Sequence, residues 1–222
     1  MLERFIVSAR GLASTAALYE RLSTVDDSIR LPFSLPMERL SIVLSHLSVS
    51  RSQIARAFLL RESDAPVRAR IRLNMVPTQF QLIATSRLGD LSTAVIRAAE
   101  AFWTVWLGAN LTLSTITGET ETRAIADLNI LSFVRASGLD RASVIAVLTS
   151  DFVNGSSAAA PAGVTAESGI GGTGAVQNNI EVARRLTSGR LDRFERFVRL
   201  WRHVPWTAKE LDYVIGRLQL RL

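Results

Sequence analysis

The sequence predicts an all-α protein, an irregular stack of helix pairs joined by tight capped corners. Apolar residues recur at helical spacing along most of the chain. An apolar residue followed by a helix-capping residue occurs three times, each time directly after another predicted helix. A hydrophobic content of 48% in 222 residues is ample for a packed core. The uneven spacing of the corners argues against a regular solenoid.

The first part of the chain is expected to form helices separated by proline and capping signals. A first helix is expected near residues 2–22, and residues 31–36 are expected to be extended because they contain two prolines. The next helix spans residues 37–47. Its inward-facing residues are predicted to be Leu40, Val43, Leu44 and Leu47.

Three polar residues are predicted helix caps. Ser50 is followed three residues later by Gln53, and Thr207 by Glu210, which is the capping-box pattern in which each side chain bonds the other residue's backbone N–H. Asp140 is placed to begin a third helix in the same way. Because each cap directly follows another helix, these residues mark the predicted corners.

Three further helices are expected, at residues 77–85, 90–107 and 124–136. The second of these contains Phe102, Trp103 and Trp106, which we interpret as core packing rather than as a ligand platform. Residues 109–122 are rich in Thr and Gly, and are expected to form a loop or a short strand.

A strongly amphipathic helix is predicted within residues 190–204, ended by Pro205. Its charged residues, which include i,i+4 pairs such as Glu195 with Arg199, are expected on a solvated face. The core residues of this helix and of the corner after it are predicted to be Phe194, Phe197, Trp201 and Trp206.

Composition divides the chain into three predicted parts. Residues 1–153 form a helical part, and residues 179–222 form a C-terminal helical pair that packs on it, entered through a short helix near Asn179. Between them, 16 of the 25 residues from 154 to 178 are Gly, Ala, Ser or Pro. Such a segment buries little apolar area, so we expect a flexible connector that is dispensable for folding.

The residues predict no catalytic, cofactor-binding or metal-binding site. The absence of Cys excludes disulfides and thiolate chemistry. His46 and His203 are the two histidines, and they are far apart without metal-ligand spacing. Residues 169–174 match G-x-G-x-x-G but lack the buried strand that a dinucleotide site requires. Glu119 and Glu121 have no neighbour that would perturb their pKa, and are expected in a solvated loop.

The positive net charge of the chain leaves one alternative function open. The net charge is +6, and capped helices after tight turns are what a helix-turn-helix nucleic-acid-binding module offers. The predicted second helices carry few basic residues, so we expect no specific nucleic acid as partner. The N-terminus lacks a secretory apolar region, and the longest uncharged run, residues 101–117, is shorter than the ~20 residues that span a bilayer.

The C-terminal stretch contains a phrase made of Arg193-Phe194, Phe197-Val198-Arg199-Leu200-Trp201-Arg202, Trp206 and Glu210-Leu211-Asp212. This phrase resembles the A subunit of bacterial toxin complex (Tc) insecticidal toxins, and it departs from the family at residues 203–205. The N-terminal phrase consists of residues 31–39, His46-Leu47 and residues 50–58. It is also similar to the Salmonella virulence plasmid A protein family. Gly138-Leu139 and Phe152-Val153-Asn154 match a third phrase.

This resemblance implies a non-enzymatic segment of the α-helical shell of a Tc toxin A subunit, which is a toxin translocation component. In that family the A subunit is a pentamer whose shell encloses a translocation channel. The resemblance therefore implies a secreted protein whose partners are other segments or copies of the subunit, with membrane contact only through the parent toxin. The A subunit is far larger than this chain, so we expect either a fragment or a stand-alone relative.

Overall fold

A computed structural model describes residues 14–24, 34–89, 93–108, 113–115, 123–125, 128–155, 163–168 and 179–218. Most of these residues are helical, which confirms the all-α class. The chain divides into two compact units, Met1–Gln81 and Leu82–Leu222. The helices on either side of residues 154–178 pack together within the second unit.

The first unit contains α1 (Thr15–Thr24), α2 (Leu35–His46), α3 (Arg51–Phe58), a 3₁₀ turn (Glu62–Asp64) and α4 (Ala65–Arg72). Helix α5 (Pro77–Ala84) crosses the boundary to the second unit. Prolines lie in the first turn of α2, α4 and α5, where a missing backbone N–H costs no helical hydrogen bond. Helices α3 and α4 pack against each other.

The second unit begins with α6 (Thr93–Leu107), and continues with α7 (Ile130–Ser137), α8 (Arg141–Leu148) and the four-residue α9 (Asp151–Asn154). Its C-terminal part is formed by α10 (Ser188–Trp201) and α11 (Ala208–Arg217). Gly138 ends α7 with a φ of 68°, the left-handed conformation that glycine adopts without steric cost.

Two small antiparallel sheets lie among the described residues of this unit. In the first, β2 (Arg123–Ile125) lies between β1 (Leu113–Thr115) and β6 (Leu186–Thr187). In the second, β5 (Asn179–Arg184) lies between β3 (Leu128–Asn129) and β4 (Gly163–Ser168). Every residue of β4 pairs with β5, from Gly163 opposite Arg184 to Ser168 opposite Asn179.

The sheets correct three predictions. Residues 124–129 include strand segments rather than the start of a helix, which begins at Ile130. The segment after Asn179 is β5 and not a short helix. Part of the predicted connector is β4, so residues 154–178 are not all linker. In each case pairing with a strand distant in sequence outweighs the local composition.

Helix α10 is the centre of the second unit. Eleven of its fourteen residues are buried, so it is covered on all sides rather than on one. It packs on α8, α9, β2 and β6, while α11 packs on α8 and α9. The Thr187 side chain accepts a hydrogen bond from the backbone N–H of Arg190 and thereby caps α10 at the end of β6.

Candidate interaction surface

Two of the predicted caps form capping boxes. Ser50 Oγ accepts from the backbone N–H of Gln53 at 3.2 Å, and Gln53 Oε1 accepts from the backbone N–H of Ser50 at 2.6 Å. Thr207 Oγ1 and Glu210 Oε2 make the same reciprocal pair at 3.3 and 2.8 Å. Local sequence chemistry therefore fixes the starts of α3 and α11.

Asp140 caps α8 at the third predicted position. Its Oδ1 accepts from the backbone N–H of Ser143 at 2.7 Å, and this bond lowers the pKa of the Asp140 carboxyl. The pKa of Glu210 is lowered for the same reason, by the backbone N–H of Thr207. Both carboxylates are held ionised at helix N-termini, where negative charge is favourable.

Two of the predicted core residues of α10 are fully buried. The ring of Phe194 meets Phe133 edge-on, with ring centroids 5.1 Å apart. The ring of Phe197 packs against Phe152 with centroids 5.9 Å apart. These aromatic contacts connect α10 to α7 and α9, and such pairs add ~0.5–1.5 kcal/mol to the burial of their area.

The two tryptophans of the C-terminal corner differ from the prediction. Trp201 is half-buried, and its indole Nε1 donates to the backbone carbonyl of Trp206. Trp206 itself is 43% exposed. The reason is the change of chain direction between α10 and α11: Trp206 directly precedes the cap Thr207, so its backbone closes the corner while its side chain points outward.

The charged face of α10 is also different from the prediction. Asp192, Glu195, Arg196 and Arg199 were expected in solvent, and each is at most 5% exposed. The predicted i,i+4 pairs are present, but inside the protein. Residues 83–87 and α6 cover this face, and they were not predicted as its partners because they lie about a hundred residues away.

Glu195 is the centre of this buried cluster. Both of its carboxylate oxygens lie within 2.9 Å of Arg87 Nε, and Arg199 Nε donates to Oε1 at 3.0 Å. The indole N–H of Trp103 donates to Oε2 at 3.0 Å. A buried carboxylate with this set of donors is fully compensated, whereas removing it takes a charge partner away from the half-buried Arg87 and the buried Arg199.

Asp192 lies one turn before Glu195 and joins α10 to the segment that precedes α6. Its Oδ1 accepts from the backbone N–H of Arg87 at 2.7 Å, and Arg196 lies 3.4 Å from Oδ2. Burial raises the pKa of the Asp192 carboxyl, although hydrogen bonds from Arg87 and Ser86 and the charge of Arg196 oppose the shift. The ionised form of the Asp192 carboxyl is therefore less favourable than that of an exposed aspartate.

Within the second unit, the phrase that ends at Asn154 and the C-terminal phrase are joined by side-chain hydrogen bonds. Asp212 on α11 accepts hydrogen bonds from the backbone N–H groups of Asp151 and Phe152, both at 2.9 Å. Arg193 Nε donates to the backbone carbonyl of Val153 at 2.8 Å. Both ends of the four-residue α9 are thus satisfied by side chains of the C-terminal helices.

The first unit exposes an apolar helix face. Val43 and Leu47, predicted to point inward, are 57% and 65% exposed, and Leu40 is exposed as well, while Leu44 is half-buried. Phe58 at the end of α3 is 80% exposed. The prediction of burial was wrong because the helices described in this unit leave that face uncovered. We define Leu40, Val43 and Leu47, which share one side of α2, as the apolar face.

The described residues bring together no catalytic constellation. His46 is exposed at the end of α2, and His203 is half-buried in the corner after α10. No cluster of three or more potential metal ligands occurs in the described part of the chain. The glycine motif at residues 169–174, Glu119 and Glu121 lie outside the described residues.

Among the helices that the structure describes, none combines the length and apolar character needed to cross a membrane. No protein-family model matches the chain, and searches of curated proteins and of solved structures also give no match.

Proposed function

We propose that this chain is a non-enzymatic structural segment that acts through helix packing, comparable to the α-helical shell of a Tc toxin A subunit. Its partners are other copies of the chain. The observation that carries the proposal is the apolar face of α2. Large exposed apolar patches mark interaction surfaces in soluble proteins.

Helix geometry makes this face suitable for docking another helix. Leu40, Val43 and Leu47 are spaced at i, i+3 and i+7, so they form one stripe along α2. Burying a valine, leucine or phenylalanine side chain completely contributes ~1.5–3 kcal/mol. We propose a second copy of the chain as the partner that covers this face, because the resembled subunit is a homo-oligomer, a pentamer in that family.

The junction of α9 with α10 and α11 gives a second, independent support. The resembling phrases at residues 138–154 and 193–212 are joined through Asp212 and Arg193, as a shared structural motif requires. Many of the arginines in the C-terminal phrase serve internal hydrogen bonds: Arg193 and Arg202 bind backbone carbonyls, and Arg199 binds Glu195.

These internal bonds disfavour the nucleic-acid alternative. Arg196 and Arg199 are almost completely buried, so they offer no guanidinium to a phosphate backbone. Helix α11 carries Glu210 in its first turn and uses Asp212 to cap α9. Helix α11 exposes Lys209 and Arg217 near its two ends and carries no amide side chain, so it lacks the row of base-contacting side chains that a recognition helix requires.

Sedimentation velocity at low and high salt tests the proposal. The unaltered chain is expected to self-associate in both, because burial of apolar area tolerates salt. The Val43→Ser/Leu47→Ser variant is expected to be monomeric. The matched control, Val105→Ser/Leu131→Ser, replaces an exposed valine and an exposed leucine of the second unit and is expected to associate normally.

Three results would contradict the proposal. The first is a monomeric unaltered chain at all accessible concentrations, and the second is equal loss of association in both double variants. The third is sequence-selective, sub-micromolar binding to duplex DNA in fluorescence anisotropy at physiological salt, far tighter than the ~10⁻⁴–10⁻⁶ M of non-specific binding.

A further inference from the structure

The first unit contains a groove of about 560 Å³ that the shell-like role does not use. It lies where the end of α2, the capped start of α3 and the end of α4 meet. Five serines line it, together with Arg51, Arg72, Gln53 and Asn74. The volume is within the range of small-molecule sites, ~300–1,000 Å³.

The groove is electropositive. Arg51 and Arg72 line it, and no carboxylate does. Arg51 is half-buried, and its NH1 donates to the neutral Oδ1 of Asn74 at 2.7 Å. Among the described residues, no ion pair is formed by Arg51, by Arg72 or by the nearby Arg70. Burial and the charge of Arg70 lower the pKa of Arg51.

The surroundings do not supply the missing negative charge. Residues 34–81 contain seven arginines against three carboxylates, which are those of Glu38, Glu62 and Asp64. Glu38 is at the opposite end of α2 from the groove, and Asp64 accepts from the backbone N–H of Arg61. An oxyanion from solution is therefore the natural counter-charge for Arg51 and Arg72.

Hydrogen-bond donors accompany the two guanidinium groups. The hydroxyls of Ser41 and Ser48 line the groove and make no hydrogen bond to the residues that the structure describes. Ser48 has a φ of 53°, and so does Asn74 across the groove. A left-handed conformation is uncommon for serine, and such backbone positions concentrate at ligand sites.

We propose that this groove binds a phosphomonoester, with Arg51 and Arg72 pairing its oxygens and the hydroxyls of Ser41 and Ser48 donating to them. A phosphate dianion matches the site better than a carboxylate does, because it carries more charge and three terminal oxygens for the guanidinium and hydroxyl donors. The phosphate belongs either to a small soluble molecule or to a lipid headgroup. The residues that would bind the phosphate lie outside the apolar face. Phosphate binding and self-association are therefore tested independently of each other.

Calorimetric titration at constant ionic strength tests the proposal. Glycerol 3-phosphate is the soluble probe, and phosphatidylcholine vesicles with and without phosphatidic acid are the lipid probe. The Arg51→Gln/Arg72→Gln variant is expected to bind ~tenfold or more weakly than the unaltered chain, because two charge-assisted contacts are lost. The matched control is Arg56→Gln/Arg135→Gln, which removes two exposed arginines outside the groove and is expected to change binding less than ~twofold.

Each outcome decides the proposal. Saturable binding of glycerol 3-phosphate with this variant pattern supports a soluble ligand, and binding only to phosphatidic acid vesicles with the same pattern supports a headgroup. Equal weakening in both double variants, no binding of either probe, or an equal response to sodium acetate overturns it. If the double variant does not fold, Arg72→Gln alone, at the exposed end of α4, is expected to weaken binding, and an unchanged affinity overturns the proposal.

Discussion

The buried indole N–H of Trp103 donates a hydrogen bond at 3.0 Å to Oε2 of Glu195, 92 residues further along the chain. The same carboxylate neutralises Arg87 and Arg199. One side chain of α10 thus fixes α6, the segment before it and the next turn of its own helix. The stability of the second unit depends on this carboxylate more than on any exposed ion pair.

Replacing Glu195 by Ala is expected to destabilise the second unit by ~3–5 kcal/mol, because Arg87 and the buried Arg199 lose this ion pair and the buried indole N–H of Trp103 loses its acceptor. Urea unfolding followed by tryptophan fluorescence measures the change. The control is Asp151→Asn, which removes an exposed carboxylate of the same unit and is expected to cost less than ~1 kcal/mol. Equal effects of the two substitutions would show that the Glu195 cluster is not a determinant of stability.

The raised pKa of Asp192 predicts the direction in which the free energy of unfolding changes with pH. Its folded-state pKa is raised above the ordinary value of 3.8, mainly by burial, so the folded protein holds this proton more tightly than the unfolded chain. The resulting stabilisation is complete below pH 3.8 and is lost as the pH rises through the raised pKa.

The Asp192→Asn variant isolates this contribution, since it has no proton to lose and keeps an oxygen for the Arg87 N–H. The free energy of unfolding of the unaltered chain minus that of the variant is expected to fall as the pH rises from about 4, in urea titrations up to about pH 7. Other carboxylates, such as Asp140 with its lowered pKa, act equally in both proteins. A difference that is independent of pH would refute the expectation.

The aromatic residues of the C-terminal phrase are expected to differ sharply in their effect on stability. Phe197→Ala removes a fully buried ring and is expected to cost ~3–5 kcal/mol. Trp206→Ala removes a 43% exposed side chain and keeps the carbonyl that accepts from Trp201, so about 1 kcal/mol or less is expected. Urea midpoints of the two variants test this order, and similar midpoints would contradict the described burial.

Strand β4 predicts that part of the Gly/Ala/Ser-rich segment is needed for the fold. Replacing residues 163–168 by a Gly/Ser linker of equal length is expected to weaken the ladder that protects β5. Amide hydrogen exchange measures the effect: protection in β5 should fall, while α3 in the first unit serves as the internal control. Unchanged protection in β5 would restore the interpretation of the whole segment as a dispensable connector.

Features that depend on neighbouring residues were predictable from the sequence. The caps Ser50, Asp140 and Thr207 are set by a partner three residues away, and the structure has all three bonds. Phe194 and Phe197 followed from helical periodicity.

What depends on distant residues was not predictable. The charges of Asp192 and Glu195 suggested a solvated face, because nothing near them in sequence announces that residues 83–87 and Trp103 cover it. The exposure of Val43 and Leu47 was missed for the opposite reason: periodicity identifies an apolar face but not whether this chain covers it. The strand pairing of β4 was hidden by its composition.

Helix α9 has consequences for the order in which the protein matures on the ribosome. Four residues form too little helix to persist alone, and its first N–H groups are bound by Asp212, which is synthesised 60 residues after Phe152. The nascent chain therefore carries α7 and α8 through the exit tunnel before this turn can settle. A chain released before residue 212 lacks the carboxylate that binds these N–H groups, so α9 is not expected to form in it.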